Sequence, residues 1–170
     1  MFVMARHPAV LVTGMSGVGK STVLAELARR GYAAVDTDDE GWIEVVEGEP
    51  LWREPLITKL LDRPRDRPLF VQGTVANQGR FYDRFDAIVL LSAPIDVMLQ
   101  RIGERRNNPF GKSTRERAQI LADLAAVEPL LRQAATHEVS TGRPLAEVVD
   151  IVAGIVGGNT TQNQRGGSRR

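Results

Sequence analysis

The run Gly14-Met15-Ser16-Gly17-Val18-Gly19-Lys20-Ser21 narrows the possible folds of this chain more than any other feature. It fits G-x-x-x-x-G-K-[ST], a loop built to wrap the phosphates of a nucleotide. The chemistry needs these residue types at this spacing. Gly14, Gly17 and Gly19 let the backbone curl so that successive N–H groups converge on phosphate oxygens. The backbone of Ser16, Val18 and Thr22 lies on the same path. Lys20 adds a positive charge toward the β- and γ-phosphates, and Ser21 offers a hydroxyl to Mg²⁺. A helix starting here turns its positive end toward the same anion.

The flanking residues supply the context that such a loop requires. Ala9–Thr13 is a short apolar, β-rich run, as expected of a buried parallel strand. Positions 23, 24, 27 and 28 are apolar at helical period, and Arg29-Arg30-Gly31 closes that pattern with basic charge and a C-terminal glycine. Four further runs read as strands: Ala33–Asp36, Leu69–Gln72, Ala87–Ser92 and a weaker His137–Ser140. Helical patterns fill 21–30, 51–61, 95–106, 114–135 and 145–156. Alternation of this kind predicts a three-layer α/β/α fold, with a five-stranded parallel sheet between helices.

Bulk composition removes several alternatives. A chain of 170 residues with 42% hydrophobic content holds one core and one domain, expected over 1–156. A net charge of +1 gives no case for a nucleic-acid partner. With no cysteine and two histidines, disulfides, thiolate chemistry and a Cys- or His-based metal centre are excluded. No segment reaches the ~20 apolar residues of a membrane span, and 1–8 lacks the apolar stretch of a signal peptide. The expectation is a soluble cytoplasmic protein, a monomer or weak homodimer, with no membrane partner. The segment 157–170 is Gly-, Asn-, Thr-, Gln- and Arg-rich and is expected to be a disordered tail.

Three stretches outside the loop carry a family resemblance. The segment 86–106, from Asp86-Ala87-Ile88 to Glu104-Arg105-Arg106, resembles the fourth strand, following helix and lid entrance of adenylate and shikimate kinases. Ser140-Thr141-Gly142-Arg143-Pro144-Leu145 is similar to the adenine-binding loop of adenylate kinases. Val35-Asp36-Thr37-Asp38 resembles the second strand of shikimate kinases. The likeness runs from about 9 to 156 and implies a small P-loop kinase that uses ATP and Mg²⁺. It implies Asp36 beside the metal with Ser21, and Asp38 facing the acceptor hydroxyl, where a carboxylate can orient the hydroxyl and accept its proton. It also implies Arg101 against the adenine with Arg143 and Pro144, Arg105 on the transferring phosphates, and a short lid over 106–113 that includes Arg106 and Lys112. The acceptor-binding region would occupy 38–62.

Within that region Arg53, beside Trp42 and Trp52, could clamp an anionic group. Gly73 would let backbone approach the acceptor, and Arg80 could pair with its charge. Gln72-Gly73-Thr74 ends the third strand without a carboxylate, so Asp36 is left to serve the metal. Two departures bear on the acceptor. The Gly-Gly-Gly run of shikimate kinases is replaced by Gln72-Gly73-Thr74, and the arginine before their Pro-Leu-Tyr stretch by Val127 or Glu128. That loss argues against shikimate. Adenylate kinases carry an Asp-Gly-Phe-Pro-Arg run that is also missing. The expected acceptor is a nucleotide or nucleoside, with a carboxylated or sugar-like metabolite as the alternative. A nucleotide-sensing ATP-binding protein is the rival from another class, which Asp38 and the lid arginines oppose.

Overall fold

The computed structural model describes residues 6–104 and 114–157. Five strands form one parallel sheet: β1 (Ala9–Thr13), β2 (Ala33–Asp36), β5 (Leu69–Gln72), β6 (Ala87–Ser92) and β7 (His137–Ser140), in the order β2-β5-β1-β6-β7. β1 is central, pairing Val10 with Phe70 on one side and with Ala87 on the other. All residues of β1 and β5 are buried, which is why both read as continuous apolar runs.

Alternation along β1 divides the core between the two faces of the sheet. Val10 and Val12 pack with Val23, Leu24 and Leu27 of α1 (Lys20–Arg29), Met98 of α3 (Ile95–Glu104) and Val148, Val149 and Val152 of α5 (Leu145–Gly157). Ala9 and Leu11 pack with Ile57, Leu60 and Leu61 of α2 (Glu54–Asp62) and with Phe81 and Phe85 at the 3-10 helix Gln78–Arg84. The remaining helix, α4, runs Thr114–Ala134. No helix among the described residues is long and apolar enough to cross a membrane.

One element differs from the sequence reading. The helix expected over 51–61 begins only at Glu54. Before it lies an antiparallel hairpin of β3 (Ile43–Val46) and β4 (Glu49–Trp52). Glu47 and Gly48 join these strands in two residues with φ of 53° and 80°, the geometry that matches strand twist in a tight hairpin. Pro55 then sits in the first turn of α2, where its missing N–H costs nothing. The lid expected over 106–113, with Arg105 at its entrance, and the tail beyond 157 lie outside the described residues.

Candidate active site

The C-terminal ends of the parallel strands converge on one edge, where open α/β sheets bind ligands. β1 runs directly into the glycine loop. Gly14 has φ 153°, and a Cβ there would meet Leu91 O at 2.5 Å, so no other residue fits. Gly19 caps α1 with φ 96° and no side-chain hydrogen bond, which leaves the helix N-terminus presenting backbone N–H groups. Lys20 Nζ donates to Gly14 O at 2.5 Å and lies 3.4 Å from Met15 O, arching across the loop. Thr74, two residues beyond β5, braces the loop. Its Oγ1 donates to Gly14 O (2.6 Å) and accepts from Gly14 N (3.2 Å).

Two cavities are lined by different residues of this loop. One, of 310 Å³, is lined by Gly17, Val18, Gly19, Thr22, Arg101 and Arg143, with Thr141, Leu145 and Val148 completing it. Arg101 fixes its shape. The guanidinium donates to Val18 O (3.1 Å), Thr141 Oγ1 (3.0 Å) and Thr141 O (2.7 Å), tying the glycine loop to the loop after β7. Pro144 does not line this cavity; its carbonyl accepts from Glu147 N and Val148 N and starts α5.

The second cavity, of 710 Å³, is lined by Gly14, Ser16, Lys20 and Asp38. Glu49 and Pro50 of the hairpin, Thr74 and Val75 after β5, and Asp123, Val127 and Leu131 of α4 close it. The last three are four apart and share one helical face. Val127, which with Glu128 is one of the two candidates for the place of the missing arginine, is therefore on the cavity wall. Arg132 of α4 donates to Glu138 of β7 at 2.7 Å and holds that carboxyl below its ordinary range; Ser92 Oγ adds a bond at 3.1 Å. This pairing fastens the cavity-lining helix to the sheet.

Asp36 and Asp38 stand together at the end of β2. Asp36 Oδ2 accepts from Ser21 Oγ at 2.9 Å, and Asp36 Oδ1 accepts from the Asp38 backbone N–H at 2.9 Å. Gln72 Nε2 reaches both carboxylates, Asp36 Oδ1 at 2.5 Å and Asp38 Oδ2 at 3.0 Å. Ser21 and Asp36 present hard oxygens to one point, the donor type Mg²⁺ takes when substrate phosphates and water complete its shell. The residues fit such an ion.

Gly73, Trp42, Trp52, Arg53 and Arg80 are not among the residues lining these two cavities. A Cβ on Gly73 would meet Thr37 Oγ1 at 2.5 Å and Trp52 Cζ2 at 2.9 Å, so this glycine makes room for buried side chains. Trp52 is fully buried, donates to Thr37 Oγ1 at 2.9 Å and packs edge-on against Phe81. Trp42 is half-buried against the same cluster. Arg53 is exposed at the start of α2, and Arg80 is exposed and paired with Glu54 at 3.3 Å; neither is among the residues lining the two cavities described above. The sequence reading did not single out Thr74, Glu49 or Asp123. For Asp123 the signal was available in the i, i+4, i+8 spacing with Val127 and Leu131. Glu49 was hidden by the unrecognised hairpin.

A phosphate loop directly after the central strand, with its lysine arched over it and two cavities along it, defines a P-loop protein. The family described as an AAA domain matches residues 10–122. The shikimate kinase of Psychrobacter cryohalolentis is 30% identical over 151 residues, covering 79% of this chain and 81% of that one. Among solved structures, shikimate kinase from Acinetobacter baumannii in complex with shikimate gives a TM-score of 0.68 at 22% identity, over 91% of this chain and 96% of that chain. A gluconokinase from Sinorhizobium meliloti gives 0.62 at 22% identity, over 94% and 99%. The chain belongs to the small P-loop kinases of the nucleoside monophosphate kinase-like group.

Proposed function

We propose that the protein transfers the γ-phosphoryl group of ATP to a hydroxyl of a small, sugar-like metabolite. The observation that carries this reading is that Asp38 and Lys20 share a 710 Å³ cavity that is separate, by its lining, from the one lined by Arg101 and Arg143. ATP spans from the latter cavity along the loop, and the acceptor enters the former. Shikimate kinase relatives support a non-nucleotide acceptor over the nucleotide or nucleoside expected from sequence. Charge narrows the class further. Among the described residues, the charged groups lining the acceptor cavity are Lys20, Asp38, Glu49 and Asp123. Three carboxylates against one lysine make a poor seat for an anion and a good one for hydroxyl donors.

In this reading Asp38 accepts the hydroxyl proton as the acceptor oxygen bonds to the γ-phosphorus. The bond from phosphorus to the β–γ bridging oxygen breaks, and that oxygen leaves with ADP. Lys20 and the loop N–H groups hold the phosphate oxygens while charge shifts, so positioning and electrostatics supply the rate. Ser21 and Asp36 would hold Mg²⁺, which supplies charge neutralisation on the phosphates. Arg105, at the lid entrance, would add a further cation. The test is ADP release by purified protein with Mg·ATP and a panel of uncharged sugars and polyols, sugar acids, shikimate, nucleosides and nucleotides. Stimulation by an uncharged polyol supports the reading. Stimulation confined to nucleosides and nucleotides, or to carboxylated acceptors, overturns it.

A further inference from the structure

Gln72 occupies the end of β5, next to the central strand, and its side chain is fully buried. A buried amide needs hydrogen-bond partners for both its nitrogen and its oxygen. Nε2 carries two hydrogens, and each has a carboxylate to go to: Asp36 Oδ1 at 2.5 Å and Asp38 Oδ2 at 3.0 Å. The amide oxygen, Oε1, is buried with no hydrogen-bond partner among the described residues. Rotating the amide by half a turn would not relieve this, because Oε1 would then face two carboxylates. The side chain thus accepts an unsatisfied carbonyl in order to hold two acids. Its backbone is equally pinned, since Gln72 O accepts from Thr37 N (3.1 Å) and Thr37 Oγ1 (2.7 Å), the residue between the two aspartates.

We propose that Gln72 is a positioning residue that fixes the Asp36 and Asp38 carboxylates relative to each other. The proposal rests on the phosphotransfer reading of this site. By taking Asp36 Oδ1 it turns Asp36 Oδ2 toward Ser21, the metal side. By taking Asp38 Oδ2 it leaves Asp38 Oδ1 for the acceptor hydroxyl. Two adjacent carboxylates repel, and the shared amide offsets that repulsion without adding a charge or a proton that could move. A carboxylate at this strand end could not do this; it would add a third negative charge.

The decisive variant is Gln72→Leu, with Gln72→Met as a second substitution of similar bulk and Gln72→Glu to reverse the donor. Thermal melting, Mg²⁺ dependence of basal ATP hydrolysis, and kcat and KM with acceptor are measured on each. Removing the orphan carbonyl offsets lost bonds, so Gln72→Leu should melt near or above the parent. Its kcat should nevertheless fall ~10–100-fold, the scale of a misplaced reacting group. The Mg²⁺ concentration giving half-maximal basal hydrolysis should rise several-fold, and Gln72→Glu should be worse in both respects. Basal hydrolysis needs no acceptor, so an error in acceptor class leaves this outcome unaltered. Gln72→Leu and Gln72→Met with parental kcat and Mg²⁺ requirement would overturn the proposal. A lowered melting temperature with intact kinetics below it would also overturn it, by assigning Gln72 to packing alone.

Discussion

Replacing Gly73 with alanine adds one methyl group at the junction of β5, the hairpin and the turn after β2. The added carbon would stand 2.5 Å from Thr37 Oγ1, 2.9 Å from Trp52 Cζ2 and 3.1 Å from Trp52 Nε1, where relaxed contacts lie at about 3.5–4.0 Å. Neither neighbour can yield freely. Thr37 Oγ1 donates to Gln72 O and accepts from Trp52 Nε1, and Trp52 is fully buried with its backbone held by Asn77. Overpacking costs about 1–3 kcal/mol, and displacing Thr37 breaks a bond worth about 0.5–1.5 kcal/mol. A total of roughly 2–4 kcal/mol lowers the melting temperature by roughly 4–16 °C for a chain of this size. Calorimetric melting of Gly73→Ala beside the parent measures this directly. A melting point within ~1 °C of the parent would refute the packing argument. If acceptor KM rose at the same time, Gly73 would instead face the acceptor, as the sequence reading expected.

Two further predictions concern the nucleotide side and the phosphate-loop helix. Arg101→Met keeps the stem but removes donors to Val18 O, Thr141 O and Thr141 Oγ1. Titration calorimetry should show ADP affinity falling ~10–100-fold, from charged hydrogen bonds of about 1.5–3 kcal/mol; unchanged affinity contradicts the role given to Arg101. Glu26 of α1 is held down to about 2 by its hydrogen bonds with Arg29 and then Arg30, and Arg30 also pairs with Asp150 of α5. A depressed carboxyl pKa stabilises the fold above its unfolded value and loses that contribution as pH falls through the folded one. Melting curves of Glu26→Gln should therefore lie below the parent near pH 6 and converge with it toward pH 2; a gap independent of pH contradicts the assignment.

The three inner strands of the sheet, β5, β1 and β6, were legible because they are buried on both faces, and continuous apolar runs such as Ala87–Ser92 announce themselves. The phosphate loop was legible because its chemistry fixes residue type at each position. The hairpin was not. Its turn uses Glu47-Gly48 rather than the Asn-Gly or Asp-Gly that signals a tight turn, and Trp52 with Leu51 continues an apolar pattern into α2. Sequence alone does not show that Arg80 pairs with Glu54 or that Arg53 is exposed. Gln72 was noticed only for the carboxylate it is not. Its bonds reach 34 and 36 residues back along the chain, a distance no local pattern spans.

Separating Asp36 from Asp38 tests the central claim, that one carboxylate serves the metal and its neighbour the acceptor. Calorimetry of ATP binding across a Mg²⁺ series, with acceptor-stimulated ADP release followed in parallel, is the measurement. Asp36→Asn should raise the Mg²⁺ requirement and weaken Mg·ATP binding along with transfer. Asp38→Asn should lose ~10²–10⁴-fold in stimulated transfer, the contribution of a positioned general base, while Mg·ATP affinity stays within about threefold, less than ~1 kcal/mol. An equal loss of Mg·ATP affinity in both variants would contradict the division of labour, and with it the acceptor site on which the kinase mechanism rests.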